Sequence, residues 1–184
     1  KRQGDLRKRY EYLEDAKKVL EGTSHRQALS DSLVSLGRAL LDPALDSPDR
    51  LAKARNLLRE ALELKRNIGD RFGVAEAYRS LGQLEYRNES YDSAKQVLEK
   101  SLDLHEALGA PFKIGATLND LGIVHLLKLE LGRAEQYFNR AMRRFKDVGD
   151  PLAVSQTIMN HGLVAINRKD IDRAETLFKK AKRM

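Results

Sequence analysis

Four alanines stand forty residues apart, at Ala54, Ala94, Ala134 and Ala174. Gly82, Gly122 and Gly162 keep the same step, and so do Gly69, Gly109 and Gly149. A fixed period of this length marks a repeat array. Each unit is one supersecondary element that cannot bury its apolar face alone, so it buries that face against its neighbours.

The stretch from Arg71 to Gly109 shows one full unit. Val74, Ala77, Tyr78, Leu81, Leu84 and Tyr86 recur at helical spacing and predict a first helix. Ser90 offers an N-cap oxygen for a second helix carrying Tyr91, Ala94, Leu98, Ser101 and Leu102. Gly109 then stops it in the left-handed conformation. About three residues separate the helices, so they fold back antiparallel. The next unit repeats the plan with Ile114, Leu118, Leu121 and Val124, then Leu131, Ala134, Phe138, Ala141 and Phe145. The last carries Val154, Ile158, Leu163, Val164 and Ile166, then Ile171, Ala174, Leu177, Phe178 and Ala181.

Punctuation between units is consistent. Gly149-Asp150-Pro151 reads as helix stop, N-cap and proline at the first helical position, where its missing N–H costs nothing. Gly109-Ala110-Pro111 and Gly69-Asp70-Arg71 are variants of that junction. Gly37, Gly82, Gly122 and Gly162 sit inside helices, where glycine costs roughly 0.5–1 kcal/mol against alanine. Their recurrence predicts that a neighbouring helix approaches too closely for a side chain.

The first unit is irregular. Ser24-His25-Arg26-Gln27 fits a capping box that opens a helix through Leu29, Leu33, Leu36, Leu40 and Leu41. Asp42 to Pro48 forms a longer turn, with Ser47 as N-cap and Pro48 at the first position of the next helix. Tyr10, Leu13, Ala16 and Leu20 predict one more helix in front, the second half of a partial unit. The expected fold is all-α, a solenoid of antiparallel helix pairs with about nine helices.

These residues resemble the tetratricopeptide repeat. The family's Leu-Gly pair is matched at Leu36-Gly37, Leu81-Gly82 and Leu121-Gly122, with His161-Gly162 departing at its first member. Its spaced alanine is Ala54, Ala94, Ala134 and Ala174. The bulky residue four further on is Leu58, Leu98, Phe138 and Phe178, followed by the small residue Ala61, Ser101, Ala141 and Ala181. The forty-residue period is similar to the long-helix branch of that family. The resemblance implies one domain over 1–184: a partial repeat at 1–22, then repeats at 24–68, 70–109, 110–149 and 150–184. A chain opening on Lys1 is expected to be a piece of a longer one.

The resemblance also implies a concave groove lined by the first helix of each unit. The candidate ligand-binding residues are then Arg38 in the first repeat and Arg79, Gln83, Tyr86 and Arg87 in the second. Asn119, Asp120 and Ile123 follow in the third, and Gln156 and Asn160 in the fourth. Ser80, Met159 and Leu163 fall on the same predicted face. Amide side chains donate and accept at once, which suits the backbone of an extended peptide. Arginine forks onto a carboxylate or phosphate. Asp120 stands where a carboxylate clamp of Lys, Asn and Arg would want Asn, which argues against that subtype.

Little points to catalysis. Without cysteine there is no thiolate nucleophile, disulfide framework or zinc–thiolate site. His25, His105, His125 and His161 include no pair at i, i+4, so no helical metal site is evident. His125 and His161 are read as packed residues. No phosphate loop or Gly-x-Ser-x-Gly motif occurs. No catalytic residue, cofactor or metal is therefore expected.

The expected function is a protein–protein interaction scaffold or sensor module that takes a peptide or partner-protein segment. Two alternatives stand behind it. The net charge of +7 and the basic ends suggest a nucleic-acid-associated regulatory module, although the few aromatics fall mostly at packing positions. Leu177 and Phe178, uncapped on the last helix, suggest a self-association module of a larger signalling or transcription protein, pairing as a homo-oligomer. No apolar run approaches the ~20 residues that span a bilayer, so no membrane partner is expected and the location is read as cytoplasmic.

Overall fold

The computed structural model describes residues 2–45 and 49–184. The described residues form nine α-helices: α1 Arg2–Glu21, α2 Arg26–Ala39, α3 Arg50–Asn67, α4 Arg71–Arg87, α5 Tyr91–Ala107, α6 Pro111–Leu127, α7 Leu131–Asp147, α8 Pro151–Asn167 and α9 Ile171–Arg183. They fall into two compact units, Lys1–Val97 and Leu98–Met184.

In the first unit α1 packs on α2, α2 on α3 and α4, and α3 on α4. Leu33, Leu36, Leu40, Leu58 and Leu84 are wholly buried at the centre, and Tyr10 and Leu13 of α1 close over the edge. Arg55 on α3 forks onto Glu85 on α4, with donor–acceptor distances of 3.0 and 3.1 Å. Lys65 is 3% exposed, and its amine lies 2.5 Å from Asp31 and 3.0 Å from Asp70. This one cation therefore ties α2 and α3 to the N-terminus of α4.

In the second unit α6 packs on α7, α7 on α8 and α8 on α9. Phe138, Leu118, Leu121, Val124 and Val164 fill the interior. Leu177 and Phe178 are half-buried, and the ring of Phe178 lies over Gly162. Gly37, Gly122 and Gly162 do what the sequence predicts. A Cβ on Gly37 would fall 2.7 Å from Leu58, and one on Gly122 or Gly162 would fall 2.5 Å from the Phe138 or Phe178 ring.

The three-residue turns share one design. The last residue before the next helix donates its N–H to a carbonyl five residues back: Asp70 to Lys65, Ser90 to Glu85, Ala110 to His105, Glu130 to His125, Asp150 to Phe145 and Asp170 to Ala165. This is the Schellman closure, and it requires a left-handed residue just before. Gly69, Gly109 and Gly149 fill that place at three turns, as expected. At the other three, Glu89, Leu129 and Lys169 take positive φ values of 59–63° despite their side chains. Asp70, Asp150 and Asp170 also accept the N–H of the residue three ahead, so each closes one helix and caps the next.

The start of the first repeat corrects the sequence reading. Helix α2 begins at Arg26 after His25, with no side-chain cap. Ser24 forms no capping box: Thr23 Oγ1 accepts the His25 N–H instead, and Gln27 reaches forward to Asp31 and Asp70. Leu40 and Leu41 fall just past the helix end. Ser47 and Pro48, predicted to open α3, lie outside the described residues.

Candidate functional site

The ten predicted site residues divide between the two units. In the first, Arg38 projects from α2, while Arg79, Gln83, Tyr86 and Arg87 follow one another along α4 at spacings that keep them on one side. Arg38, Gln83 and Arg87 line a single cavity of about 560 Å³, together with Leu41, Asp42, Pro43 and Ala44 of the turn after α2.

That turn is held from both sides. Helix α2 ends at Ala39, leaving carbonyls without helical partners. Arg50 donates to the Leu40 carbonyl at 3.0 Å and Arg87 to the Leu41 carbonyl at 3.1 Å. The Asp42 carboxylate accepts the Ala44 N–H at 2.9 Å. Arg87 therefore shapes the cavity wall, and its guanidinium lies 5.9 Å from the Tyr86 ring centroid. Arg38 is exposed. Arg79, Gln83 and Tyr86 are half-buried and already held by other groups. Ser80, predicted on this face, is buried and bonds back to the Glu76 carbonyl at 2.9 Å.

In the second unit the site residues sit on α6 and α8. Asn160 donates its amide to Asn119 Oδ1 at 2.8 Å, joining the two helices. Beside this pair lie half-buried Ile123 and exposed Gln156, Met159 and Leu163. Asp120 is 4% exposed and has interactions of its own, so its carboxylate is turned away from solvent. Helix α8 carries no charged residue from Pro151 to Asn167, in a chain that is one-third charged. Leu152, Met159, Leu163 and Ile166 are all exposed along one stripe of it.

His125 and His161 pack, as their positions suggest, and His105 is buried too, whereas His25 is exposed. His125 stacks on Tyr137 with centroids 5.0 Å apart, and its Nδ1 lies 2.7 Å from Glu130. That hydrogen bond, with the nearby His125 and Lys128 charges and a hydrogen bond from Arg133, holds the Glu130 carboxyl below its usual range against the opposing effect of desolvation. His105 sits against Thr117 at 3.1 Å. Burial pushes the His161 pKa down; Glu135 opposes this and Arg173 reinforces it. Among the described residues no cluster of His, Cys, Asp or Glu could hold a metal ion. No helix there is long and apolar enough to cross a membrane.

Sequence reasoning overlooked two features. The amide pair went unseen because its partners stand forty-one residues apart, one step off the repeat register, so they occupy non-equivalent positions. The carbonyl-capping role of Arg87 depends on a turn whose path the repeat does not set.

The backbone is similar to BtubC (BKLC) from P. vanneervenii, with a TM-score of 0.75 and 21% identity over 99% of this chain and 74% of that one. Aspartyl phosphate phosphatase F from Bacillus subtilis gives a TM-score of 0.79 and 16% identity over 93% of this chain and 44% of that one. A Rap protein complexed with Competence and Sporulation Factor gives 0.84 and 13% over 98% of this chain and 49% of that one. This chain spans less than half the length of the last two. At such identities the likeness shows the fold alone, an all-α solenoid of helix pairs. No curated protein sequence matches this one. The profile of the tetratricopeptide repeat matches residues 49–107 and 74–147, together more than half of the sequence, and the chain belongs to that family.

Proposed function

We propose that the chain is a protein-interaction module, without catalytic chemistry of its own, that takes a peptide or partner-protein segment on the first-helix faces of its repeats. The observation that carries this reading is the convergence of Arg38, Gln83 and Arg87 on one cavity of about 560 Å³. Its volume lies within the usual range of ligand sites. Two guanidiniums and an amide suit an acidic side chain or carboxylate with the adjoining peptide group. Asp42 supplies the one opposing charge, and its carboxylate is already tied to the turn.

The second unit would contribute differently. Its uncharged α8 face, with Met159 and Leu163 beside the Asn119–Asn160 pair, suits an apolar side chain and the backbone next to it. A related fold, the Rap protein, was solved with Competence and Sporulation Factor, which supports a binding role for folds of this kind.

The test is selection of peptides from a random display library on the intact chain, followed by affinity measurements on variants. Arg38→Ala leaves the turn untouched, whereas Arg87→Ala would disturb it. Acidic peptides should be enriched, and Arg38→Ala should weaken them about tenfold, the loss of a charge-assisted hydrogen bond. If selected peptides bind Arg38→Ala, Gln83→Ala and Met159→Ala as tightly as the parent, the assignment is wrong.

A further inference from the structure

A second cavity, of about 310 Å³, lies wholly within the unit Leu98–Met184. Arg140, Arg143, Arg144 and Asp147 of α7 line it, with Glu106 of α5 and Leu118 of α6. It shares no residue with the first-helix faces. The four α7 residues stand at i, i+3, i+4 and i+7, the spacing that brings side chains to one helical face.

Three guanidiniums therefore crowd one and a half turns. Arg140 has a loose contact with Glu106, 3.9 Å away, and lies 5.6 Å from the Tyr137 ring centroid. Among the described residues no ion pair or hydrogen bond holds the guanidinium of Arg143 or Arg144. At Arg144 helix α7 runs close to α6: its Cβ lies 3.1 Å from where a Cβ on Gly115 would be.

Packing does not account for the cluster. The positions forty residues earlier hold Lys100, Asp103 and Leu104, eighty earlier they hold Glu60, Glu63 and Leu64, and forty later they hold Lys180, Arg183 and Met184, so the repeat does not itself require three arginines there. Basic residues do favour the last turn of a helix, where they face its negative end. That explains Arg144 and Lys146, which lie in the last turn of α7. Arg140 has its contacts with Glu106 and Tyr137, which leaves Arg143 unexplained.

We propose that Arg140, Arg143 and Arg144 form a binding site for a phosphomonoester, carried either by a small molecule or by a phosphorylated side chain. A phosphomonoester brings close to two negative charges and three acceptor oxygens, which several guanidinium forks can meet together. Glu106 and Asp147 offset two of the three positive charges, so a phosphomonoester is favoured by its three acceptor oxygens, which three guanidinium forks can meet at once where a carboxylate offers two. The cavity is at the small end for ligand sites. It has room for a phosphate and the group that bears it, and none for a track of bases. Arg140 turns from Glu106 to the phosphate, leaving Glu106 and Asp147 to accept hydrogen bonds from the rest of the ligand.

The experiment is calorimetric titration of the intact chain with phenyl phosphate, with a short peptide carrying one phosphoserine, with the same peptide unphosphorylated, and with a single-stranded oligonucleotide. Saturable binding is expected for a phosphate probe and not for the unphosphorylated peptide. Arg143→Gln/Arg144→Gln, which keeps the Arg144 stem, should weaken it about tenfold or more with the helical circular dichroism unchanged. If that pair disturbs the fold, Arg143→Gln alone serves, since that side chain is exposed. Tighter binding of phenyl phosphate assigns a small-molecule source, and tighter binding of the phosphopeptide a protein source. Three results overturn the site: no saturation by either phosphate probe, equal binding by the folded variant, or an oligonucleotide that binds more tightly than both.

Discussion

The Phe138 ring occupies the space that a side chain on Gly122 would need: a Cβ there would lie 2.5 Å from Cε1 and 2.6 Å from Cδ1. Phe138 is wholly buried, so the ring has nowhere to go. Gly122→Ala gains helix propensity but forces α6 and α7 apart. Overpacking of this kind costs about 1–3 kcal/mol, which outweighs a propensity gain of about 1 kcal/mol at most. Gly132 is the control, since nothing lies within 4 Å of a Cβ placed there. Urea denaturation should show Gly122→Ala destabilised and Gly132→Ala unchanged or slightly stabilised.

Leu129 holds the left-handed place in its turn at φ 59°, and its side chain is 68% exposed. A left-handed conformation costs an ordinary residue roughly 1–2 kcal/mol, against which glycine loses more chain entropy on folding. Leu129→Gly should raise stability by about 0.5–1 kcal/mol, read as a higher thermal midpoint. A lower midpoint would mean that the leucine side chain contributes something its exposure hides.

His161 is buried with no hydrogen-bond partner for Nε2, beside the edge of Phe138. Its pKa is lowered by burial. The unfolded state therefore binds the proton more readily. Its influence is constant above the unfolded value of about 6.5, and stability is lost as pH falls below that. His161→Leu restores the residue found at Leu36, Leu81 and Leu121. It should be stabilising by about 1–2 kcal/mol near pH 7, because it removes an unsatisfied buried group. The advantage over the parent should widen from pH 7 to pH 5; an advantage that stays flat across that range would refute the buried neutral imidazole.

Lys65 is the third test of the interior. Burial works against its charge, but the hydrogen bonds and charges of Asp31 and Asp70 outweigh this and raise its pKa. Burial likewise opposes the charge on Asp70, and the hydrogen bonds from Gly73, Gln27 and Lys65 outweigh that and lower its pKa. The cluster therefore contributes fully between the unfolded values, about pH 4 and pH 10. It weakens as pH falls through the lowered Asp70 value or rises through the raised Lys65 value. Lys65→Met should cost about 1–3 kcal/mol at pH 7 by denaturant titration, less than a fully buried pair because Asp31 is 57% exposed.

The fold was legible where one residue type can do one job. Gly69, Gly109 and Gly149 announced left-handed turns, and Gly37, Gly122 and Gly162 announced close helix contacts, because few other residues suit either place. Glu89, Leu129 and Lys169 announced nothing, since the same backbone there is imposed by the turn against the side chain's preference. The Ser24 capping box failed for a related reason: Thr23, one residue earlier, offers the competing oxygen. The site was less legible, because a repeat register fixes which way a residue faces and not what it meets. Asp120 faces inward, and Asn119 meets Asn160. Arg143 and Arg144 were passed over because their helix was read only for its apolar side.

Asp70, Asp150 and Asp170 each serve as the final link of one helix and the first of the next. Adding a single amino acid at such a joint would strip both neighbours of an anchor, so these turns have no slack. Whole forty-residue modules can be gained or dropped without that penalty. That asymmetry between large and small changes in length is a physical reason for the repeat spacing to persist unblurred along the chain.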